Sequence, residues 1–203
     1  FKGNHATQST DGNKPTYIPA GINSLPTVKF NGVGTSLLLP SGVYTRIQGQ
    51  NAGRQTTTFF VSKQVTQDSG GAVFNCANGT LSQVYTALYS TANNGTLSFG
   101  SNSSGAQTNP GDITTTNFNI YRCVRNKGNI FINVNRLAAT GTQVSGSDTV
   151  SVLDRGFIGC LAQGSTHLNG EIAEIQMYNE FLSDYDIVNV ENELSSKYNI
   201  TLT

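Results

Sequence analysis

Short runs of β-branched and aromatic residues recur along this chain at intervals of roughly 10–15 residues, each closed by Gly, Asn or Pro. Such spacing suits strands joined by turns rather than strand–helix–strand units, and it points to a sandwich. Leu25–Gly32 alternates through Val28 and Phe30, and the run Thr35–Pro40 that follows is expected to pair with it as a hairpin. Thr56–Lys63 is β-branched and aromatic, the pattern of a central strand. Gly71–Cys76 follows a Gly-Gly break. Gln83–Tyr89 and Thr96–Gly100 flank Asn93-Asn94-Gly95, a two-residue hairpin turn chemistry in which both turn residues need positive φ. Residues 101–116 are almost devoid of apolar side chains and read as a surface loop, with pairing as an edge strand left open. Asn117–Val124 then sets Phe118, Ile120 and Arg122 on one face against Asn119, Tyr121 and Cys123 on the other. Asn129–Asn135, Thr149–Leu153, Arg155–Leu161 and Leu168–Tyr178 complete the strands.

One helix stands out near the end. Ser183 is placed to cap it, with Asp186 three residues on. Ile187, Val190, Leu194 and Tyr198 form an apolar stripe that Glu191 interrupts. The helix is expected across one edge or end of the sandwich, burying Leu194 and Tyr198. Residues 1–15 are polar and turn-like and read as an N-terminal arm or linker, leaving 16–203 as one domain.

Charge is sparse. Charged residues make up 12% of the 203, about half the usual share, and Ser, Thr, Asn, Gln and 22 Gly take their place. Formal net charge is zero and the 12 lysines and arginines are scattered, which argues against nucleic acid, whose binders carry a basic stripe. No apolar run reaches the ~18 residues of a membrane span. The chain begins at Phe1, as a fragment, a processed product or one domain of a longer protein would. Cys76, Cys123 and Cys160 are widely spaced with no Cys-x-x-Cys pair, so they read as buried thiols, or as one disulfide and a spare thiol, rather than zinc ligands. Sequons at Asn78, Asn94, Asn102 and Asn199 are no more than chance supplies in so polar a chain.

Four ordered motifs carry a family resemblance. Pro26-Thr-Val-Lys-Phe-Asn-Gly32 opens the series and Phe131-Ile-Asn-Val-Asn135 follows mid-chain, with Arg136 where a Gly is usual. Gly170–Asn179 reads Gly-Glu-Ile-Ala-Glu-Ile-Gln-Met-Tyr-Asn, and Leu182–Asp184 with Lys197-Tyr198 closes the chain. In these the sequence resembles the laminin G-like jelly rolls of the concanavalin A-like lectin/glucanase superfamily. The resemblance implies an all-β, two-sheet antiparallel jelly-roll sandwich with one short C-terminal helix. Similar modules occur in secreted bacterial proteins, in adhesins, and on phage tails and capsids.

The chemistry of an enzyme is hard to find. Glucanases of this superfamily use acids at alternate positions of one strand, which places the carboxylates on one face at the ~5–5.5 Å that retaining hydrolysis needs. Glu171 and Glu174 stand three residues apart, so a regular strand would point them to opposite faces. Asp184 and Asp186 suit helix capping, and Glu191 and Glu193 suit a solvated helix surface. The Tyr and His motifs of jelly-roll alginate lyases are missing. The two histidines, His5 and His167, are far apart, and no Gly-x-Ser-x-Gly elbow accompanies them. The expectation is therefore no enzyme and no cofactor. Calcium, an occasional ligand in the family, would need several oxygens, and Asp112, Asp148 and Asp154 form no clear acidic cluster.

Sugar binding asks for an aromatic platform with amide or carboxylate partners. The chain has no Trp, so Tyr85, Tyr89 and Tyr121, with Tyr44 beside them, are the candidate platform, and Asn133, Asn135 and Arg136 the polar partners. The competing explanation is core tyrosine with a satisfied hydroxyl. The expected role is a non-catalytic carbohydrate-binding or adhesion module on an extracellular or virion surface, its partner a glycan or cell-surface polysaccharide. The rival is a phage tail or capsid decoration domain docked on other virion subunits. A lectin should leave a concave face of clustered Tyr and Asn exposed; a decoration domain should show an apolar patch or an N-terminal arm buried by a neighbouring chain.

Overall fold

The computed structural model describes residues 5–47, 55–66, 70–78, 85–89, 96–101, 104–108, 114–126, 129–138, 144–145, 153–161 and 164–203. Elements are numbered in chain order. One eight-stranded antiparallel sheet runs β1 (Thr16–Ile22), β2 (Leu25–Asn31), β14 (Asn169–Tyr178), β4 (Gln55–Gln64), β9 (Asn119–Asn126), β10 (Asn129–Val134) and β11 (Leu137–Ala138), with β12 (Val144–Ser145) also on β10. A six-stranded sheet runs β3 (Leu37–Leu38), β13 (Arg155–Ile158), β5 (Gly71–Ala77), β6 (Tyr85–Tyr89), β7 (Leu97–Ser101) and β8 (Ser104–Gln107). The two sheets enclose a core of Phe30, Phe60, Phe74, Phe99, Tyr121, Ile132 and their neighbours. The architecture is the two-sheet sandwich that the sequence calls for.

A second core lies outside the larger sheet. Helix α2 (Asp184–Tyr198) buries Ile187, Leu194 and Tyr198 on Phe59 and Val61 of β4 and Ile120 of β9. It therefore crosses the outer face of the large sheet instead of an edge or end. That explains β4: Phe60 faces the inter-sheet core and Phe59 and Val61 face the helix, so the strand is apolar on both sides. Ser183 caps α2, its Oγ accepting from the Asp186 amide at 3.2 Å and donating to the Asp186 carboxylate at 2.6 Å. Asn199 ends it in the left-handed conformation at φ +52°.

Two sequence expectations need correction. Leu25–Asn31 pairs with β1, through a turn at Asn23 and Ser24 (both at positive φ), while β3 joins the opposite sheet. The cause sits at Asn31, whose Oδ1 accepts from the amides of Val33, Gly34 and Thr35 and turns the chain out of the hairpin path. Within the polar stretch 101–116, Ser104–Gln107 forms edge strand β8 on β7, the alternative to a surface loop that the sequence leaves open. A second helix, α1 (Ser41–Ile47), follows Pro40 and buries Ile47. The turn Asn93–Gly95 lies outside the described residues, although β6 and β7 do pair antiparallel around it; most of the Thr149–Leu153 run lies outside them too. The N-terminal stretch is tied in from Thr7, which bridges Leu38, and Gln8, which donates to the Ser36 carbonyl.

Gly170, the first residue of the long terminal strand motif, is a packing requirement. A Cβ there would lie 2.3 Å from the Lys63 carbonyl oxygen, so only glycine lets β14 approach β4 at that point. A bulge between Ile172 and Glu174 then resets the alternation. Ile172, Ile175 and Met177 face the inter-sheet core while Ala173 and Tyr178 face the helix side. Glu171 and Glu174 consequently both project from the outer face, not from opposite faces.

Candidate functional site

The three candidate tyrosines are core residues. Tyr85, Tyr89 and Tyr121 are 3%, 1% and 0% exposed and lie between the sheets, so they offer no platform to a ligand. The Tyr85 hydroxyl shares a 2.6 Å hydrogen bond with Thr58, and Tyr89 one of 2.7 Å with Ser62. Tyr121 stacks on Phe60 with centroids 4.8 Å apart. Burial drives all three phenol pKa values upward. Alternation explains the placement: Tyr85, Ala87 and Tyr89 share the inward face of β6, as Tyr121 and Cys123 do on β9. Tyr44, a residue of α1, packs half-buried against the same core.

Asn133, Asn135 and Arg136 sit at the end of the β10–β11 hairpin, on the helix side. Asn135 (φ +48°) and Arg136 (φ +79°) are the two turn residues of a tight hairpin, a place where glycine is easier than arginine. Arg136 is there for its side chain. Its Nε donates to Glu191 Oε2 at 3.1 Å and its Nη2 to Asn192 Oδ1 at 2.6 Å. Arg122 completes the clamp, Nη1 lying 3.0 Å from the other Glu191 oxygen as an ion pair whose angles fall short of a hydrogen bond. Glu191 is 1% exposed, which overturns its expected place on a solvated helix surface. Two arginines from the sheet hold one carboxylate from the helix, and the helix cannot slide without breaking that clamp.

Asn135 is equally committed to structure. Its Oδ1 accepts from the Ile120 amide at 2.9 Å and its Nδ2 donates to Asn119 Oδ1 at 2.9 Å. Asn119 in turn donates to the carbonyls of Thr114 and Asn117. This amide chain fixes the loop 114–118 against the hairpin. The loop, the β1–β2 turn and the end of α2 then enclose an open cleft of about 590 Å³, within the usual range for small-ligand sites.

The cleft is wet and rich in amides. Asn23, Thr116, Asn117, Asn199 and Thr201 line it from exposed positions, and the half-buried Phe118 supplies its apolar surface. Among the described residues, the side chains of Thr116, Asn117, Asn199 and Thr201 make no hydrogen bond, so water satisfies them and a ligand can replace that water. Asn23 is engaged, its Nδ2 donating to the Lys197 carbonyl at 2.9 Å. Lys63 lies 4.7 Å above the Phe118 ring and 3.3 Å from Glu171. Groups that donate and accept at once, set around one aromatic ring, suit a polyhydroxylated ligand.

Known folds set this cleft in context. No protein-family model matches the chain, and no curated protein sequence matches it significantly. Solved structures do. The receptor-binding domain of a botulinum neurotoxin mosaic serotype C/D superposes with TM-score 0.62 at 11% identity, over 89% of this chain and 45% of that one. Trypanosoma rangeli sialidase in complex with sialic acid gives 0.62 at 15% identity, over 91% of this chain and 29% of that one. Botulinum neurotoxin type C, whose cell entry depends on interaction with two ganglioside molecules, gives 0.58 at 11%, over 90% of this chain and 45% of that one. The fold is a jelly-roll sandwich. The sandwich accounts for less than half the length of each of these chains, and identities this low establish the fold alone.

A second concavity flanks the sandwich's helix at its N-terminal end. Arg122, Val124, Phe131, Asn133, Phe181 and Asp184 are among the residues around a groove of about 220 Å³. Phe131 and Phe181 are 41% and 40% exposed. Asn133 thus faces this groove and Asn135 the polar cleft, and the hairpin separates the two. Among the described residues no cluster of His, Cys, Asp and Glu is arranged to hold a metal, and no helix is long and apolar enough to cross a membrane. Asp154 is taken by Arg155 at 2.6 Å, while Asp112 and Asp148 lie outside the described residues. Glu171 and Glu174 are likewise paired, with Lys63 and Lys197. His167 binds the Gly164 carbonyl at 2.8 Å, and His5 is exposed. Cys76, Cys123 and Cys160 are free and buried.

Sequence reasoning missed the cleft because its parts lie at 22–23, 63, 116–119, 135 and 198–201. Only the fold brings them together. The local signal was asparagine, which tolerates the left-handed conformation: Asn23 stands in the β1–β2 turn and Asn199 at the end of α2.

Proposed function

We propose that this domain is a non-catalytic carbohydrate-binding or adhesion module of the laminin G-like type, working on an extracellular or virion surface. Glycan sits in the cleft at the C-terminal end of α2. The observation that carries this reading is the set of unpartnered amide and hydroxyl side chains, Thr116, Asn117, Asn199 and Thr201, gathered around Phe118. Sugar hydroxyls donate and accept, as these groups do, and an apolar ring face suits the C–H face of a pyranose. Ganglioside and sialic acid, named for the neurotoxin and the sialidase of like fold, support a saccharide as the broad class of ligand and say nothing of the charge this cleft accepts. The carboxylates bear on chemistry: Glu171, Glu174 and Glu191 are each held by cations, which suits anchoring rather than acid–base work.

A glycan-array screen of the domain, run with and without EDTA, tests the reading. Specific, chelator-resistant binding that falls roughly thirtyfold in Asn117→Ala/Thr201→Ala is expected, since two lost hydrogen bonds at about 1 kcal/mol each amount to that. Both side chains are exposed, so the variant folds. A blank array from folded protein rejects the reading. It would favour the rival, a virion decoration domain, for which the specific support is the apolar groove with exposed Phe131 and Phe181.

A further inference from the structure

We infer that the cleft selects an uncharged saccharide and disfavours sialylated, sulfated or uronic-acid glycans; this rests on the glycan reading above. Electrostatics carry the inference. Among the described residues that line the cleft, Lys63 is the one formal charge, and Glu171 already neutralises it at 3.3 Å. The next cation, Lys197, is held by Glu174 at 2.9 Å, and Tyr198 donates to the same oxygen at 2.7 Å. These two lysines are therefore each matched by a β14 carboxylate, and Lys29, across from Glu171 on β2, does not line the cleft.

The helix adds a negative bias. Tyr198, Asn199, Ile200 and Thr201, at the C-terminal end of α2, form one wall of the cleft, so the negative pole of the helix faces the ligand. The wall is only partly satisfied from within: Asn199 and Ile200 amides return to the Ser195 carbonyl, and Asn23 caps that of Lys197. Anionic sugars call for the opposite arrangement, an arginine fork or a helix N-terminus. No arginine lines the cleft among the described residues. An acidic glycan would have to break the Lys63–Glu171 pair or leave its charge unmatched beside carbonyl oxygens. Neutral hydroxyls and acetamido groups meet donors and acceptors without either penalty.

The test compares neutral oligosaccharides with the same oligosaccharides bearing a terminal sialic acid or a sulfate, on one array and then by NMR titration at two salt concentrations. Neutral forms should bind, and the charged counterparts should bind roughly two- to fivefold more weakly or worse, as a charge at the wrong helix pole implies. Neutral binding should hardly change between low and high salt. Glu171→Gln, which frees Lys63 while keeping an acceptor for the 2.8 Å bond from Thr27, should narrow the gap between charged and neutral forms. Tighter binding of sialylated or sulfated forms overturns the inference and leaves the glycan reading standing. An unchanged gap in Glu171→Gln also overturns it. Binding to no glycan at all rejects the underlying reading instead.

Discussion

Arg136→Gly should destabilise the domain in the native background and stabilise it once Glu191 is gone. Two effects oppose each other at this residue. Arg136 sits at φ +79°, where a side chain is disfavoured by about 1 kcal/mol relative to glycine. Against that, its guanidinium donates at 3.1 Å to a carboxylate that is 1% exposed, an interaction with a charged group worth about 1.5–3 kcal/mol. The guanidinium is 38% exposed and Arg122 stays behind, so the lower half of that range applies. Net destabilisation of about 1 kcal/mol is expected for the single variant. In a Glu191→Leu background the carboxylate is absent, and the same substitution should gain up to about 1 kcal/mol from relief of the turn, less the contribution of the exposed bond to Asn192, which is lost in both backgrounds. The coupling of about 2 kcal/mol exceeds the ~0.3–0.5 kcal/mol scatter of independent sites. Urea denaturation of the four proteins measures it, provided the m-values agree. Equal effects of Arg136→Gly in both backgrounds would refute the claim that the arginine is kept in a strained turn for the sake of the clamp.

Other consequences are as direct. Tyr85→Phe orphans the buried Thr58 hydroxyl and should lose about 1–3 kcal/mol, most of which Thr58→Val restores, with glycan binding unaffected in both; a Tyr85→Phe protein with unchanged thermal stability would contradict the placement. Burial alone would push the Glu174 carboxyl up, but hydrogen bonds from Gln176, Lys197 and Tyr198 outweigh it and hold the pKa below its ordinary 4.5. Its contribution is thus present above pH 4.5 and lost as pH falls through the lower folded value, so Glu174→Gln should flatten that acid limb of stability against pH. Burial pushes the Cys76 thiol up to about 12, and Cys123 is fully enclosed. Neither should react with a thiol reagent except at the rate of opening, which denaturant will accelerate.

Much of the sandwich was legible because burial imposes a period. Thr56–Lys63 declared a strand apolar on both faces, and Phe118, Ile120 and Arg122 separate from Tyr121 and Cys123 as alternation requires. Local competition defeated the rest. Leu25–Asn31 looked like half of a hairpin with Thr35–Pro40 until the Asn31 side chain gathered three amides and redirected the chain. Glu171 and Glu174 broke their expected alternation through one bulged residue, which no spacing rule reveals. Glu191 is the more instructive miss: a carboxylate in the middle of an apolar stripe signals a buried pair, but its partners, Arg122 and Arg136, are 69 and 55 residues away. The candidate tyrosines failed for the opposite reason, because Tyr85 and Tyr89 share a face with Ala87 and that face is inward. Asn133, Asn135 and Arg136 were found in sequence, yet Arg136 is spent on the Glu191 clamp, and Asn135 lines the cleft with its amide already bonded to Ile120 and Asn119.

The most direct measurement is a backbone amide NMR titration of the domain with a neutral oligosaccharide that it retains on an array. If the cleft is the site, shifts will concentrate at Thr116–Asn119, Asn23 and Asn199–Thr201 while Tyr85, Tyr89 and Tyr121 stay fixed. Shifts gathered instead on the outer face of the six-stranded sheet, or around Phe131 and Phe181, would contradict the account.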